Sequence, residues 1–378
     1  MFTFLRRWSG LALPAIGAAL IAAAPAAASN SPIVGHVYVN DNTAGTNTVA
    51  AFYRHADGTL TPLPGSPFAA GGAGSGGGLA SQGAIQVTSN GRYLLAVDAG
   101  SNQVSVLRIK PSGALKVART ISSGGVKPVS VAEHDGLVYV ANAGAGGSNY
   151  TGFRLNPGGH LRPLANSTYD LPDAAQPGDV LFNSTGKNLV GVRVGTSAID
   201  SFTVGPDGLL TPASGSPYPA QGKGPFGSEF RPTNPSQLFV SNAHDGAGAG
   251  TVSAFKVASN GGLSSIGASP FADQQTAPCW VEITHNGRFL FAVNTASGSI
   301  SRYRIAPAGG LRLLGSTPVT PSSSGPVDAR LSDDGRNLYL NESGADSVGE
   351  FSVSRGNLTQ LGTAALPAGA SPAGMVVH

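Results

Sequence analysis

The tripeptide Gly-x-Leu recurs seven times along the chain, beginning at Gly58, Gly113, Gly159, Gly208, Gly261, Gly309 and Gly356. Successive glycines lie 46 to 55 residues apart, the mark of a repeat array in which each unit is one supersecondary element. Each Gly falls between two runs of β-forming residues, where a tight hairpin needs positive φ, and the Leu is the first residue to return to the sheet.

Aligning the units on this tripeptide gives four strands per repeat. The strand before the Gly alternates apolar and polar residues at 49–52, 104–107, 151–153, 199–202, 252–255, 300–303 and 348–351. A second strand lies upstream, at 37–39, 94–97, 138–140, 189–192, 238–240, 290–293 and 338–340. An innermost run precedes it, at 84–87, 129–132, 179–182, 227–230, 280–283 and 328–331. The fourth strand often ends in Ser-Pro or Thr-Pro, at Ser66-Pro67, Ser216-Pro217, Ser269-Pro270 and Thr317-Pro318. Proline cannot donate to a ladder, so this strand belongs on the outer edge. Seven such units predict an all-β, seven-bladed β-propeller of four-stranded antiparallel blades. The first unit lacks an innermost run while the chain ends in a spare one at 374–378, so the C-terminal strand is expected to join the N-terminal blade and close the ring.

Composition agrees. Charged residues are 11% of 378, against about 25% in an average globular protein, while Gly (54) and Pro (27) are abundant. Apolar periodicity of helical type is nearly absent outside the N-terminus. There, Arg6-Arg7, an apolar stretch over 11–24 and Ala26-Ala27-Ala28 have the form of a secretory leader over 1–28, leaving 29–378 as one propeller domain. The expected location is therefore secreted or periplasmic, with no stable membrane anchor once the leader is removed. Losing residues 1–28 removes two arginines and no acid, so the net charge falls from +3 to +1. With no Lys/Arg clusters along the sequence, nucleic acid and anionic membrane are not expected partners, and a monomer is. Cys279 is alone, which rules out an internal disulfide and suits a buried small side chain.

The remaining charge is concentrated where propellers are narrowest. On one face of the innermost strands the residues are apolar, such as Val281 and Ile283. On the other face Glu229, Glu282 and Arg330 fall at one level of three consecutive strands, with Asp179 and Asp328 one step nearer the mouth. Two carboxylates beside an arginine could activate water and hold a carbonyl-bearing ligand. An interblade network that satisfies charges facing a wet channel is the competing reading. A second polar ring ends the second strands: Asn40, Asp98, Asn142, Arg193, Asn242, Asn294 and Glu342. Turn capping accounts for the Asn and Asp members, whereas Arg193 and Glu342 stand out as ligand contacts. His244-Asp245, just beyond Asn242, could form a proton-transfer pair.

Several familiar motifs are absent. The run Gly71–Gly78 lacks the Gly-Lys-Ser/Thr of a phosphate loop and reads as a connector, and no Gly-x-Ser-x-Gly elbow or metal-spaced His/Cys cluster occurs. No cofactor or metal is called for. The strand phrasing, the Gly-x-Leu hairpins and the turn Asp333-Asp334-Gly335-Arg336-Asn337-Leu338-Tyr339 resemble the seven-bladed lactonase family over residues 36–378. That family includes propeller-type 6-phosphogluconolactonases and carboxymuconate cyclases. The resemblance implies His, Arg-His and Arg at the starts of the fourth, fifth and seventh innermost strands. This chain has Gly178, Phe226-Gly227 and Val327 there, which argues against a phosphorylated sugar lactone as substrate. The resulting expectation is a lactonase-like propeller that binds, and as an enzyme would hydrolyse, a small polar lactone or ester at the channel mouth. Glu229, Glu282 and Arg330 would carry catalysis, and Asp179, Arg193, Asn242, His244, Asn294, Asp328 and Glu342 would line the ligand. The alternative is a non-catalytic platform for an extracytoplasmic protein or ligand.

Overall fold

The hairpin glycines set the spacing of seven antiparallel sheets arranged as blades around a central channel. The computed structural model describes residues 31–378, so the leader expected over 1–28 lies outside the described residues. Blade 1 comprises Ile33–Asn40, Thr48–His55, Leu60–Pro62 and Phe68–Ala69. The innermost strands of blades 2 to 7 are Ile85–Val87, Pro128–His134, Pro177–Phe182, Pro225–Arg231, Pro278–Ile283 and Pro326–Leu331. They fall where the sequence pattern placed them. A single 3-10 turn, Asp173–Ala175, is the helical content among the described residues. No helix there is long and apolar enough to cross a membrane.

All seven repeat glycines have positive φ, between 81° and 95°. The structure adds a second reason for glycine. Each hairpin lies against the preceding blade so closely that a Cβ would collide: Gly113 with His36, Gly159 with Tyr93, Gly309 with Ile266, Gly356 with Phe289. Buried tyrosines clamp three of the hairpins, with hydroxyls donating to the carbonyls of Gly113 (Tyr38, 2.8 Å), Gly208 (Tyr139, 2.8 Å) and Gly58 (Tyr339, 3.1 Å).

The outer edge is broken in blades 1, 3, 4 and 5 into a three-residue and a two-residue piece. At each break a serine hydroxyl accepts the backbone N–H that the ladder would have used: Ser66 from Ala51, Ser167 from Gly152, Ser216 from Ser201 and Ser269 from Ala254. In three of the four, a proline follows the serine. The Ser-Pro pairs thus blunt the edge while leaving no orphan donor beneath it.

The ring closes as the sequence implied. Met375–Val377 pairs antiparallel with Ile33–Asn40, in the register Val37 with Val377, Tyr38 with Val376 and Val39 with Met375. Met375 and Val376 are buried, and fully burying side chains of this size is worth about 2 kcal/mol each. Deleting residues 373–378 should therefore lower the thermal midpoint by at least about 5 °C in a circular dichroism melt. An unchanged melt would show that the ring does not need its C-terminal strand.

Candidate functional site

The innermost strand of each blade pairs on one side only, so its free edge presents backbone groups to the channel that need partners. The channel carboxylates supply them, each to the next blade. Asp179 Oδ2 accepts the Ser228 N–H at 3.0 Å and the Ser228 hydroxyl at 2.7 Å, while Oδ1 accepts the Ser130 hydroxyl at 3.2 Å. Glu282 Oε1 accepts the Leu331 N–H at 2.8 Å. Asp328 Oδ2 accepts the Met375 N–H at 3.1 Å, which places a carboxylate on the closing seam itself. A contact of the same kind, from the Ile283 N–H, reaches Glu229.

Sequence reasoning brought Glu229, Glu282, Asp179, Asp328 and Arg330 to one place, and the structure does bring them together. Arg330 Nη1 lies 3.0 Å from Asp328 Oδ1 and 3.5 Å from Glu282 Oε2, with its third bond to the Ala329 carbonyl. Four carboxylates share this single guanidinium. Burial pushes Asp179 up to about 7, with Ser228, Arg330 and Ser130 opposing the rise. Glu282 and Asp328 are also raised by burial, and Arg330 pulls both back. Glu229 stands well above the ordinary carboxylate range, first from burial and then from the adjacent Glu282. Burial would lower Arg330, but the surrounding acids outweigh it and hold the guanidinium above its usual value. Glu229 differs from the others in one further respect: its Oε2 is buried without a hydrogen-bond partner. It is the carboxyl that the seams do not use up.

Most of the second ring forms clasps across the central hairpins, while Asn40 Oδ1 both caps its turn, accepting the Asn42 N–H at 3.2 Å, and takes the Asn47 amide seven residues on. Asp98 binds Ser105, Asn142 binds Asn149 and Asn294 binds Ser301, in each case seven residues on. Asn242 donates to Thr251 and Ser253. Arg193 follows the same seven-residue rule, forking onto Asp200 through Nε at 2.7 Å and Nη2 at 2.6 Å. Glu342 Oε2 accepts from Ser347 at 2.6 Å. The two residues that looked exceptional in sequence are thus charged versions of one structural device, buried at the blade. His244 is exposed, and the Asp245 carboxylate takes the Lys223 N–H at 2.9 Å, so the two are not arranged as a relay.

What the sequence did not reveal is a plug. Residues 79–83, which follow the glycine run, cross the mouth of the channel and bond to four blades. The Ser81 hydroxyl donates to Val129 O, the Gln82 N–H to Gly178 O, Gln82 Nε2 to Ser228 O, and Gln82 Oε1 accepts from Val281 N. Trp280 Nε1 donates to Ser81 O at 2.8 Å, and Gly83 O accepts from Val131 N. A Cβ on Gly227 would overlap Gln82 Oε1, and one on Gly178 would press on Val194 and approach Ala80 O. The plug therefore occupies space that a side chain at Gly227 would need. Its one trace in the sequence is length, because the 55-residue step from Gly58 to Gly113 is the longest in the array.

Two small cavities flank the plug. One, of ≈ 230 Å³, is lined by Leu79, Ser81, Trp280, Val327, Ser343 and Pro372 among others; the second, of ≈ 180 Å³, by Leu79, Ala80, Lys127, Gln176 and Val194. The larger carries no charged side chain, so it suits an uncharged ligand with apolar area and a few hydroxyl contacts. Cys279, next to Trp280 in the strand, is buried, and burial pushes its thiol up to about 11, which leaves it protonated and unreactive.

The sequence signature of the family described as "Lactonase, 7-bladed beta-propeller" matches residues 35–182 and 228–378. None of the curated protein sequences matches the chain. Among solved structures, a candidate 6-phosphogluconolactonase of Bacteroides uniformis is similar with a TM-score of 0.73 at 18% identity, over 91% of this chain and 99% of that one. A candidate 6-phosphogluconolactonase of Bacteroides fragilis gives 0.70 at 19%, over 93% and 99%. The periplasmic gluconolactonase of Pseudomonas aeruginosa gives 0.72 at 17%, over 91% and 98%. At these identities the likeness establishes the shared fold.

Two predictions follow from the channel. Asp179 binds a proton more tightly folded than unfolded, so its contribution to stability is full below its unfolded value near 4 and is lost as pH rises through about 7. The melting temperature should fall between pH 5 and pH 8, and Asp179→Asn should flatten that slope; an identical slope in the variant would exclude Asp179 as its source. Gln82→Ala removes two hydrogen bonds that tie blades 5 and 6 to the plug, at a cost of about 2 kcal/mol. Amide exchange at Val281 should accelerate in this variant, and unchanged protection would show that the plug bears no load.

Proposed function

The chain belongs to the seven-bladed β-propeller lactonase family, and from that membership we propose an extracytoplasmic propeller that binds a small polar, uncharged lactone or ester at its plugged mouth and hydrolyses it with Glu229 as the proton-transferring group. The leader-like start of the sequence and the likeness to a periplasmic gluconolactonase support the location. The observation that carries the chemistry is the unpartnered Oε2 of Glu229 beside the Glu282–Arg330 pair. Glu282 and Asp328 are committed to the seams between blades and to Arg330, whereas Glu229 has an oxygen to offer. Once deprotonated, Glu229 would take a proton from a water attacking the carbonyl carbon. Arg330 would draw charge onto the carbonyl oxygen, and the proton would pass to the departing ring oxygen as the C–O bond breaks. Gln82 hydrogen-bonds the residues just before Glu229 and Glu282 in their strands, so substrate entry is coupled to movement of residues 79–83.

A platform without catalysis is favoured by a different observation: all four channel carboxylates already hold a backbone donor across the blades, Glu229 through the Ile283 N–H. One comparison separates the readings. The purified protein is assayed against a panel of neutral lactones and esters beside Glu229→Gln. Hydrolysis that rises with pH and falls at least about 100-fold in the variant is the expected result. Equal turnover by both proteins would remove Glu229 from the mechanism, and no turnover by either would leave the platform.

A further inference from the structure

No Lys/Arg cluster is visible along the sequence, yet the fold builds one. On the face opposite the plug, a groove of ≈ 720 Å³ between blades 6 and 7 gathers Arg288, Arg302, Arg304, Arg312 and Arg355 around Phe289. Arg288 comes from the turn after the innermost strand of blade 6, and Arg302 and Arg304 from its third strand, Ser299–Ile305. Arg312 comes from its outer strand, Leu311–Pro318, and Arg355 from the Gly-x-Leu hairpin of blade 7.

The arrangement works against stability. Arg304 lies directly opposite Arg312 in the ladder, and like charges so placed repel. The ion pairs among the described residues use Arg54, Arg193 and Arg330, but none of these five. Arg302 donates through Nη1 to Asn357 Oδ1, yet its Nε is buried in the groove with no partner. A chain with a net charge of only +3 has thus concentrated guanidinium groups without internal acids to balance them.

We propose that this groove is a second binding site, separate from the channel, for a saccharide carrying phosphate or carboxylate groups. Guanidinium forks match both anions, taking two oxygens at a time. Asn286 and Asn357 line the same groove; their carboxamide oxygens are held by Thr284, Arg288 and Arg302, which leaves their amide nitrogens to donate to ring hydroxyls, and Phe289 and Leu314 add apolar lining. Single-stranded nucleic acid needs aromatic faces in series on which bases stack. Here there is one ring, and Gly356 rests against it so closely that a Cβ would overlap it.

The test is calorimetric titration of the whole protein at about 20 mM salt, where exposed charges are weakly screened. The probes are fructose 1,6-bisphosphate, trigalacturonate and the oligonucleotide dT8. Binding of either saccharide that weakens with added salt supports the site, and which one binds assigns phosphate or carboxylate. The double variant Arg304→Gln/Arg312→Gln should bind roughly tenfold more weakly while melting at the same temperature or higher, because a repulsion has been removed. Arg355→Gln, on the opposite wall, should weaken binding by a smaller factor and provides the check should the double variant fold poorly. Failure of both saccharides to bind, undiminished binding by the variants, or tighter binding of dT8 would each overturn the proposal. Glu229→Gln should bind the probes as the wild type does, so loss of catalysis and loss of the groove are separable.

Discussion

A propeller hides its outer edges from one another by pointing them outward, but it cannot hide the inner ones. Seven short strands converge on a channel too narrow for another strand, and each leaves one row of backbone groups facing its neighbour. This molecule answers with side chains. Asp179, Glu282 and Asp328 each reach across a seam to an N–H of the next innermost strand, while the plug accepts an N–H from blades 3 and 6 and donates to carbonyls of blades 3, 4 and 5. The arrangement explains why so sparsely charged a chain buries acids at its axis. A carboxylate accepts backbone donors more strongly than a neutral side chain, and Arg330 offsets part of the cost of burying so many together. The raised pKa values are the residue of that cost.

The same logic runs through the periphery in cheaper forms. Hairpin glycines let each blade rest on the one before it, tyrosine hydroxyls fasten the contact, and serine hydroxyls fill the gaps where the outer ladder breaks. Across the central hairpin a polar pair seven residues apart locks the second strand to the third, whether it is Asn142 with Asn149 or Arg193 with Asp200. These devices recur from blade to blade because each blade meets the same geometry. Departures from the repeat are therefore more informative than the repeat itself. The plug and the arginine groove occur at single places.

That distinction also marks what could be read from the sequence. Periodicity exposed the blades, the innermost runs and the closing strand, since alternation and spacing are local properties written directly in residue order. The gathering of Glu229, Glu282 and Arg330 was legible for the same reason: they occupy equivalent positions in consecutive repeats. Arg193 was misleading because its partner, Asp200, sits on the facing strand, and only the register of the hairpin shows that the pair is satisfied. The groove was invisible because its five arginines come from two blades and from turns as well as strands. The plug was hidden in a glycine-rich connector whose composition says flexibility, while its course is fixed by hydrogen bonds to distant strands.

The mouth of the channel shows how fold and function are coupled here. Gly178 and Gly227 stand where the family resemblance implies reactive side chains, and the structure shows why nothing larger fits: Gln82 fills the space at Gly227 and Val194 the space at Gly178. Small residues on the strands and a loop across the mouth are two halves of one change. Restoring a long side chain at Gly227 would collide with the plug, and removing the plug alone would strip Ser228 O and Val281 N of their partners. Each half is held in place by the other. The shape of this mouth is consequently set by the loop from blade 1 as well as by the strand ends, and the space beside Trp280 is lined by no charged side chain.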